Sequence, residues 1–299
     1  MVSVLQQSQI IHGCMRMASL SVTEAGELLE TALGLGINFF DHADIYGQGR
    51  SEEVFGQAMR ERRVSRDQVV IQTKCGIRSG FYDFSKEHIV RSVEGSLRRL
   101  GTDYVDVLLL HRPDTLVEPE EVAEAFEELE TSGKVRYFGV SNQNPLQIEL
   151  LRKSCSQKLL FNQLQFSLVH TGMVDSGFNV NLDNRAAHDR DGSILEYSRL
   201  REMTIQAWSP LQYGFIEGVF LDHPQFATLN QTLAATADRK GVTPAALAIA
   251  WILRHPAKMQ PIVGTTSCHR LKDLSKAGDV GLSRQEWYEL YLAAGNTLP

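Results

Sequence analysis

The chain has 299 residues, and 30 Lys or Arg against 36 Asp or Glu give it a formal charge of −6 at pH 7. With 43% hydrophobic and 22% charged residues, this acidic balance is typical of a folded protein and excludes one that coats nucleic acid. No apolar run approaches the ~20 residues of a membrane-spanning helix, and the sequence opens with no secretory signal, so we expect no membrane partner and a cytoplasmic location.

Short β-branched or aromatic runs alternate with longer helical patterns along the chain. One such run, VDVLLL at 105–110, is apolar almost throughout, which is typical of a parallel strand covered on both faces. The runs predict eight strands, over residues 9–14, 38–41, 69–74, 105–111, 135–140, 160–165, 204–208 and 260–263. Strands interleaved with helices over this length predict a (β/α)8 TIM barrel, a single domain over 1–299, with a doubly wound sheet as the alternative.

The segments between the strands carry helix start signals. Ser21 and Glu24 have the spacing of a capping box, as do Ser283 and Glu286 at the predicted C-terminal helix. Segment 167–191 is rich in Gly, Asn and Asp without clear periodicity, which indicates a functional loop or partial disorder. Apolar stripes predict three further helix faces: Ala25, Leu28, Leu29, Ala32 and Leu33; Ile89, Val93, Leu97 and Leu100; and Val122, Ala125, Phe126 and Leu129.

The turn Gly47-Gln48-Gly49 resembles the opening of a dinucleotide-binding GxGxxG motif. Glu52 occupies the third glycine position. Its carboxylate would repel a pyrophosphate, and its side chain would prevent the close packing of helix on strand that a glycine permits there. We therefore reject a Rossmann interpretation.

Four polar residues follow or end predicted strands: Asp41, Tyr46, Lys74 and His111. A barrel builds its active site at the carboxyl ends of its strands, so we expect these side chains to meet at one rim. A Lys ammonium near a phenol lowers the pKa of the phenol by roughly three units, which brings it closer to neutral pH. The set suits protonation of the alkoxide that forms when hydride adds to a carbonyl.

Several segments resemble the aldo-keto reductase superfamily in order and spacing. They are FFDHADIYG (39–47), the lysine at 74, LLLHRP (108–113), GKVRYFGVSN (133–142), FNQLQF (161–166), AWSPL (207–211) and VGTT (263–266). The resemblance implies a (β/α)8 barrel that reduces aldehydes and ketones with NADPH, NADH being less expected. It also implies that Asp41, Tyr46, Lys74 and His111 form the catalytic group, with Tyr46 as general acid.

The same resemblance implies where cofactor and substrate bind. Cys14 and Met15 fall on the substrate side. His42 stands where the family usually has Thr or Ser, which puts another titratable group beside the site, and Gly264 stands where many members have Lys. The implied cofactor residues are Ser141, Asn142, Gln163 and Trp208 at the nicotinamide, Ser209 and Leu211 over the pyrophosphate, Gly264, Thr265 and Arg270 at the 2′-phosphate, and Asp273 at the adenine.

Two alternatives to the reductase stay open at this stage. One is a cofactor-binding regulatory subunit with slow or no turnover, similar to the potassium-channel β subunits that share the fold. The other makes Lys74 the Schiff-base lysine of a barrel aldolase, which Asp41 opposes because a carboxylate raises the pKa of lysine. The cysteines, at 14, 75, 155 and 268, lack the clustering of a metal site, so no metal is expected, and a monomer is the default.

Overall fold

The computed structural model describes residues 7–299. Within them, eight parallel strands close into a barrel in which each strand pairs with its chain neighbours and the last pairs with the first. Closure confirms the predicted (β/α)8 fold over the doubly wound sheet, and the predicted strand ends lie within two residues of those observed. The strands are β1 (Ile11–Gly13), β2 (Phe39–Asp41), β3 (Val70–Cys75), β4 (Val105–Leu110), β5 (Val135–Ser141), β6 (Leu159–Gln165), β7 (Thr204–Trp208) and β8 (Gln260–Val263).

Helices surround the barrel, and two short hairpins lie beside it, one joining Ile77–Arg78 to Phe81–Tyr82 and one joining Gln212–Tyr213 to Gly218–Val219. No helix among residues 7–299 is long and apolar enough to span a bilayer. The helices are α1 (Val22–Gly34), α2 (Arg50–Glu61), α3 (Lys86–Leu100), α4 (Pro119–Thr131), α5 (Pro145–Ser154), α6 (Gly172–Phe178), α7 (Ile194–Leu200), α8 (Ala227–Lys240), α9 (Pro244–Leu253), α10 (Cys268–Ser275) and α11 (Arg284–Ala293).

The core has two apolar layers because successive side chains of a strand point to opposite faces. In β4, Val107 and Leu109 point into the barrel, whereas Leu108 and Leu110 pack outward against the helices. The predicted helix stripes are the buried faces of α1, α3 and α4, except that Leu33 is only partly buried. The inner layer consists of Ile11, Phe39, Val70, Val107, Leu109, Phe161 and Ile262.

Both predicted capping boxes are present. The backbone N–H of Ser21 donates to the Glu24 carboxylate at 2.8 Å, and Ser283 donates to Glu286 at the same distance. Segment 167–191 differs from a plain loop because it contains α6 and a 3-10 turn at Arg185–Ala187. Its early part therefore has regular structure that the missing periodicity hid.

The glycine-rich turn after β2 serves to enter α2. Gly47 and Gly49 have φ of 57° and 90°, a left-handed conformation that favours glycine. Glu52 is fully buried, where it binds Arg99 at 2.7 Å and accepts a hydrogen bond from the Thr73 hydroxyl at 2.6 Å. The acid that opposes a Rossmann turn is thus part of a structural ion pair that joins α2 to α3.

Candidate active site

Strands β2, β3 and β4 place the four predicted catalytic residues together at the carboxyl rim. Asp41 is the last residue of β2, Lys74 lies near the end of β3, and His111 follows β4 directly. Tyr46 lies in the turn after β2, and its ring meets the His111 ring edge-on with centroids 6.0 Å apart. The arrangement is the rim constellation that the strand order predicts.

Lys74 is the centre of this group. Its side chain is fully buried, and Nζ donates to Asp41 Oδ2 at 2.9 Å, to the Tyr46 hydroxyl at 3.0 Å and to the His42 carbonyl at 2.7 Å. Burial acts to lower the pKa of Lys74, but Asp41 and Tyr46 outweigh it and the pKa is raised. The lysine is therefore an ammonium with every N–H occupied, which disfavours the Schiff-base alternative because that chemistry needs a free amine.

The pKa of Tyr46 moves opposite to our expectation from the sequence. Burial raises the pKa of the phenol, the positive charge of Lys74 acts to lower it, and the net shift is upward. Sequence reasoning counted the ammonium and omitted the cost of placing a phenolate in a buried site. Tyr46 is consequently protonated at neutral pH, the form that a proton donor needs.

His111 is uncharged. Burial, followed by the charges of Lys74 and Arg112, holds its pKa well below the usual range. Its Nδ1 is buried without a hydrogen-bond partner among the described residues. A neutral imidazole beside the Tyr46 hydroxyl can donate one N–H to an oxygen placed between them.

A layer of amides lies under the carboxylate. Oδ1 of Asp41 accepts hydrogen bonds from Gln72 Nε2 at 2.6 Å and from Gln163 Nε2 at 3.1 Å. Gln206 bonds to both glutamines, to Gln72 across the barrel and to Gln163 on the neighbouring strand. Sequence analysis missed Gln72 and Gln206, because each is a single amide within its strand and no sequence pattern relates the two.

The residues expected at the nicotinamide form one connected group at the ends of β5, β6 and β7. Asn142 donates from Nδ2 to the Ser141 hydroxyl at 2.7 Å, and that hydroxyl donates to the backbone carbonyl oxygen of Gln163 at 3.1 Å. The indole N–H of Trp208 donates to Asn142 Oδ1 at 3.1 Å. Trp208 is therefore held in place at the rim rather than buried as core.

The residues expected at the 2′-phosphate cluster where β8 leads into α10. Thr265 Oγ1 accepts from Arg270 Nε at 3.1 Å, and the Ser267 hydroxyl caps α10 by accepting from Arg270 N at 3.3 Å. Arg16, which sequence analysis missed, reaches the Gly264 carbonyl at 3.0 Å. Two guanidinium groups and a helix N-terminus make this an anion-favouring corner.

The remaining predicted residues occupy varied positions. Ser209, with a left-handed φ of 52°, donates to Gln212 Oε1 at 2.5 Å, and Leu211 precedes the second hairpin. Asp273 binds Lys276 at 3.3 Å and His269 at 3.4 Å. Cys14 is buried, with its N–H bonded to the Asp41 carbonyl at 2.8 Å, so only Met15 of the expected substrate pair is exposed.

A cavity of about 820 Å³ adjoins this rim. Trp208 and Phe215 supply aromatic faces, and Arg112 lies 5.8 Å and 5.6 Å from the centroids of their rings. The remaining wall combines polar residues, among them His170 and members of segment 167–191, with apolar ones such as Leu164 and Ile194. The cavity is therefore suited to a small molecule that has both polar and apolar surfaces.

His42 lies against the site without entering it. Its ring is fully buried, packs 4.6 Å from the Phe55 ring and has no partner at either nitrogen among residues 7–299. Burial, then the charges of Lys74 and His12, lowers its pKa to about 3. Burial likewise lowers the pKa of His12 to about 4. Both imidazoles stay neutral, so His42 adds no charge to the site.

These two histidines predict a loss of stability in acid. An unfolded histidine has a pKa near 6.5, so below that pH each of these imidazoles is protonated in the unfolded state but stays neutral in the folded state until its lower folded pKa is reached. The stability present above pH 6.5 is therefore lost as the pH falls. Each histidine contributes about 2 kcal/mol of this loss between pH 6.5 and 5. We expect His42→Phe to shrink the fall in Tm between pH 7 and 5, measured by circular dichroism.

Comparing two pH values within each variant cancels any packing cost of the larger ring. The exposed His269→Phe serves as the control and should keep the wild-type fall in Tm. A His42→Phe protein with the full wild-type fall would contradict the assignment of a neutral buried imidazole.

Comparison with known proteins gives a consistent picture. The Aldo/keto reductase family profile matches residues 9–291. The chain is 37% identical over 303 residues to "6-dehydroglucose reductase" of Agrobacterium fabrum, with 97% of this chain and 95% of that protein covered. It is 32% identical to "Probable voltage-gated potassium channel subunit beta" of Oryza sativa subsp. japonica, with 87% of this chain and 84% of that protein covered.

Among solved structures, an aldo-keto reductase from Klebsiella pneumoniae in complex with NADPH superposes with a TM-score of 0.77 at 27% identity. The alignment covers 95% of this chain and 90% of that one. The closed barrel, the rim constellation and a profile match over nearly the whole length agree, and the chain belongs to the aldo/keto reductase family of oxidoreductases.

Proposed function

We propose that this protein is an NADPH-dependent reductase that converts aldehydes and ketones to alcohols. The observation that carries the proposal is the chain from Asp41 through Lys74 to the Tyr46 hydroxyl, with bonds of 2.9 and 3.0 Å at the barrel rim. A protonated phenol backed by a fixed ammonium is a proton donor whose conjugate base is stabilised in advance.

In this proposal a bound nicotinamide supplies the hydride, and the protein supplies the proton and the binding. Tyr46 and neutral His111 each donate a hydrogen bond to the carbonyl oxygen, and Tyr46 gives up its proton as negative charge builds there. Lys74, 3.0 Å from the phenol oxygen, stabilises the phenolate by about 5 kcal/mol at an effective dielectric of ~20. Asp41 and the His42 carbonyl keep the ammonium in that position.

The residues present fit the cofactor. At the nicotinamide end, Ser141, Asn142 and Gln163 offer amide and hydroxyl groups suited to a carboxamide. Trp208 offers a fixed aromatic face for a ring. At the other end, Arg270 has no carboxylate partner among the described residues; its Nε donates to Thr265, and its two terminal nitrogens are available for a phosphate.

Arg270→Ala tests the cofactor choice. NADPH carries a 2′-phosphate and NADH does not, so we expect the Kd for NADPH to rise roughly 10- to 100-fold with the Kd for NADH nearly unchanged. Cofactor titration by fluorescence measures both constants. Lys272→Ala, one charge removed from the same helix, is the control. Equal losses for both cofactors would remove Arg270 from the phosphate site.

We further propose a hydroxylated aldehyde of sugar size as the substrate class. The mixed polar and apolar wall of the cavity, with Arg112 beside two aromatic faces, matches the alternating polar and apolar surfaces of a sugar. A relative named "6-dehydroglucose reductase" supports the same class.

The deciding assay follows the loss of NADPH absorbance with a panel of aldehydes and ketones that includes glyceraldehyde and propanal. These two have the same carbon chain and differ in hydroxyl groups. We expect turnover, with kcat/KM at least tenfold higher for glyceraldehyde. Equal values would overturn the substrate class alone. NADPH binding without turnover on any carbonyl would overturn the reductase and favour the regulatory role suggested by the potassium-channel relative.

A further inference from the structure

Three glutamines from different strands meet in the middle of the barrel. Gln72 of β3 and Gln206 of β7 are fully buried, and Gln163 of β6 is 3% exposed. Gln72 and Gln206 exchange two hydrogen bonds of 2.8 and 3.1 Å across the barrel, and Gln163 donates to Gln206 Oε1 at 3.1 Å. We call these three side chains the amide array. Amides buried in an otherwise apolar barrel are costly unless each bond is made.

The direction of every bond in the amide array follows from Asp41. A carboxylate only accepts, so the side chains that touch Oδ1 must present N–H groups. Gln72 and Gln163 therefore both turn their nitrogens toward Asp41. The second N–H of each then points to Gln206 Oε1, and Gln206 returns its own N–H to Gln72 Oε1. Exchanging the nitrogen and oxygen of any one of these amides would place two hydrogen-bond acceptors against each other.

This polarity decides what Gln163 offers outside the array. Both of its N–H groups are used, one on Asp41 and one on Gln206, so only its Oε1 remains, and that oxygen accepts nothing from the described residues. Gln163 is thus set as an acceptor for an N–H donor, such as the amino group of a carboxamide. Asp41, in turn, has Oδ1 held by two amides, which leaves Oδ2 for Lys74.

We propose that Gln72 and Gln206 are positioning residues: Gln206 fixes Gln163 as an acceptor toward the cofactor carboxamide, and Gln72 fixes the Asp41 carboxylate toward Lys74. Neither side chain touches substrate or cofactor. The inference rests on the proposed function, because it assumes that NADPH binds at this rim. It divides the array into one arm that acts on cofactor binding and one that acts on proton transfer.

Gln206→Met and Gln72→Met test the two arms, because Met keeps the length of the side chain and removes its hydrogen bonds. We expect Gln206→Met to raise the Kd for NADPH about three- to tenfold, measured by fluorescence titration, with kcat at saturating NADPH within about twofold of wild type. We expect Gln72→Met to lower kcat by roughly tenfold or more with a smaller change in Kd. Gln260→Met is the matched control, since this buried glutamine of β8 bonds to the Ser8 carbonyl at 2.9 Å instead.

A structural role alone would lower Tm in all three variants without separating Kd from kcat. The inference is overturned if the variants at 72 and 206 behave like Gln260→Met, or if both move Kd and kcat together. If the wild type binds NADPH and the variants at 72 and 206 keep its Kd and kcat, the inference alone is overturned. A wild type that does not bind NADPH overturns the proposed function and this inference with it.

Discussion

Replacing Tyr46 with Phe is expected to lower kcat by roughly 10³-fold while the Kd for NADPH stays within about twofold of wild type. The substitution removes the hydroxyl that accepts a hydrogen bond from Lys74 and keeps the ring that meets His111 edge-on. Without it, the alkoxide formed by hydride addition must take its proton from water, in a site where the ammonium has no phenolate to stabilise. Steady-state kinetics and fluorescence titration on the same preparation measure the two constants.

Tyr137→Phe is the matched control for that experiment. Tyr137 packs against the inner layer of the barrel, and no described residue bonds to its hydroxyl, so its loss should leave kcat unchanged. If Tyr46→Phe keeps more than about a tenth of wild-type kcat, Tyr46 is not the acid and the proton donor must be sought elsewhere.

Replacing Lys74 with Met has two expected effects, one on catalysis and one on stability. The phenolate loses the charge that stabilises it, so kcat falls by about 10²-fold or more and the alkaline limb of the pH–rate profile moves to higher pH. Asp41 is left as a buried anion without its cation, and such losses cost about 3–5 kcal/mol of folding free energy. Urea denaturation measures the second effect.

The double variant Lys74→Met with Asp41→Asn separates the two effects. Removing the stranded carboxylate should recover most of the lost stability and none of the activity, because the proton donor still lacks its ammonium. This variant also keeps the test valid if the single variant does not fold. A double variant with recovered activity, or an unchanged pH–rate profile in either protein, would exclude the role given to Lys74.

The fold and the rim were predictable because their signals are local. Strand β4 is recognisable from its run of six buried residues. In a barrel, a polar residue at the carboxyl end of such a strand lies at the rim. Asp41 is the last residue of β2, Lys74 lies near the end of β3, and His111 follows β4 directly. Their side chains therefore meet at the rim as the order of the strands requires, with Lys74 bonded to Asp41 and His111 held beside the Tyr46 ring.

The amide array was out of reach because it depends on which strands face each other across the barrel. Gln72 and Gln206 are 134 positions apart in sequence, and each alone reads as a lone amide in a strand. The raised pKa of Tyr46 was missed for a related reason, since the depth of burial emerges only when the strands and turns are assembled. The charge of a neighbouring lysine can be inferred from the sequence, but the desolvation that raises the pKa of Tyr46 cannot.

The filled hydrogen bonds of Lys74 also decide how the proposed site resets after each turnover. Its three N–H groups end on Asp41, Tyr46 and a backbone carbonyl, and among the described residues Asp41 Oδ1 is bonded to two amides, which neither take up nor release protons at neutral pH. These hydrogen bonds therefore offer the phenol no route by which a proton could reach it from the barrel floor. If the protein is the proposed reductase, we expect the phenol to regain its proton from the mouth, where bulk water arrives once the alcohol has left. Proton uptake would then be tied to product release, and a slow exit would delay both.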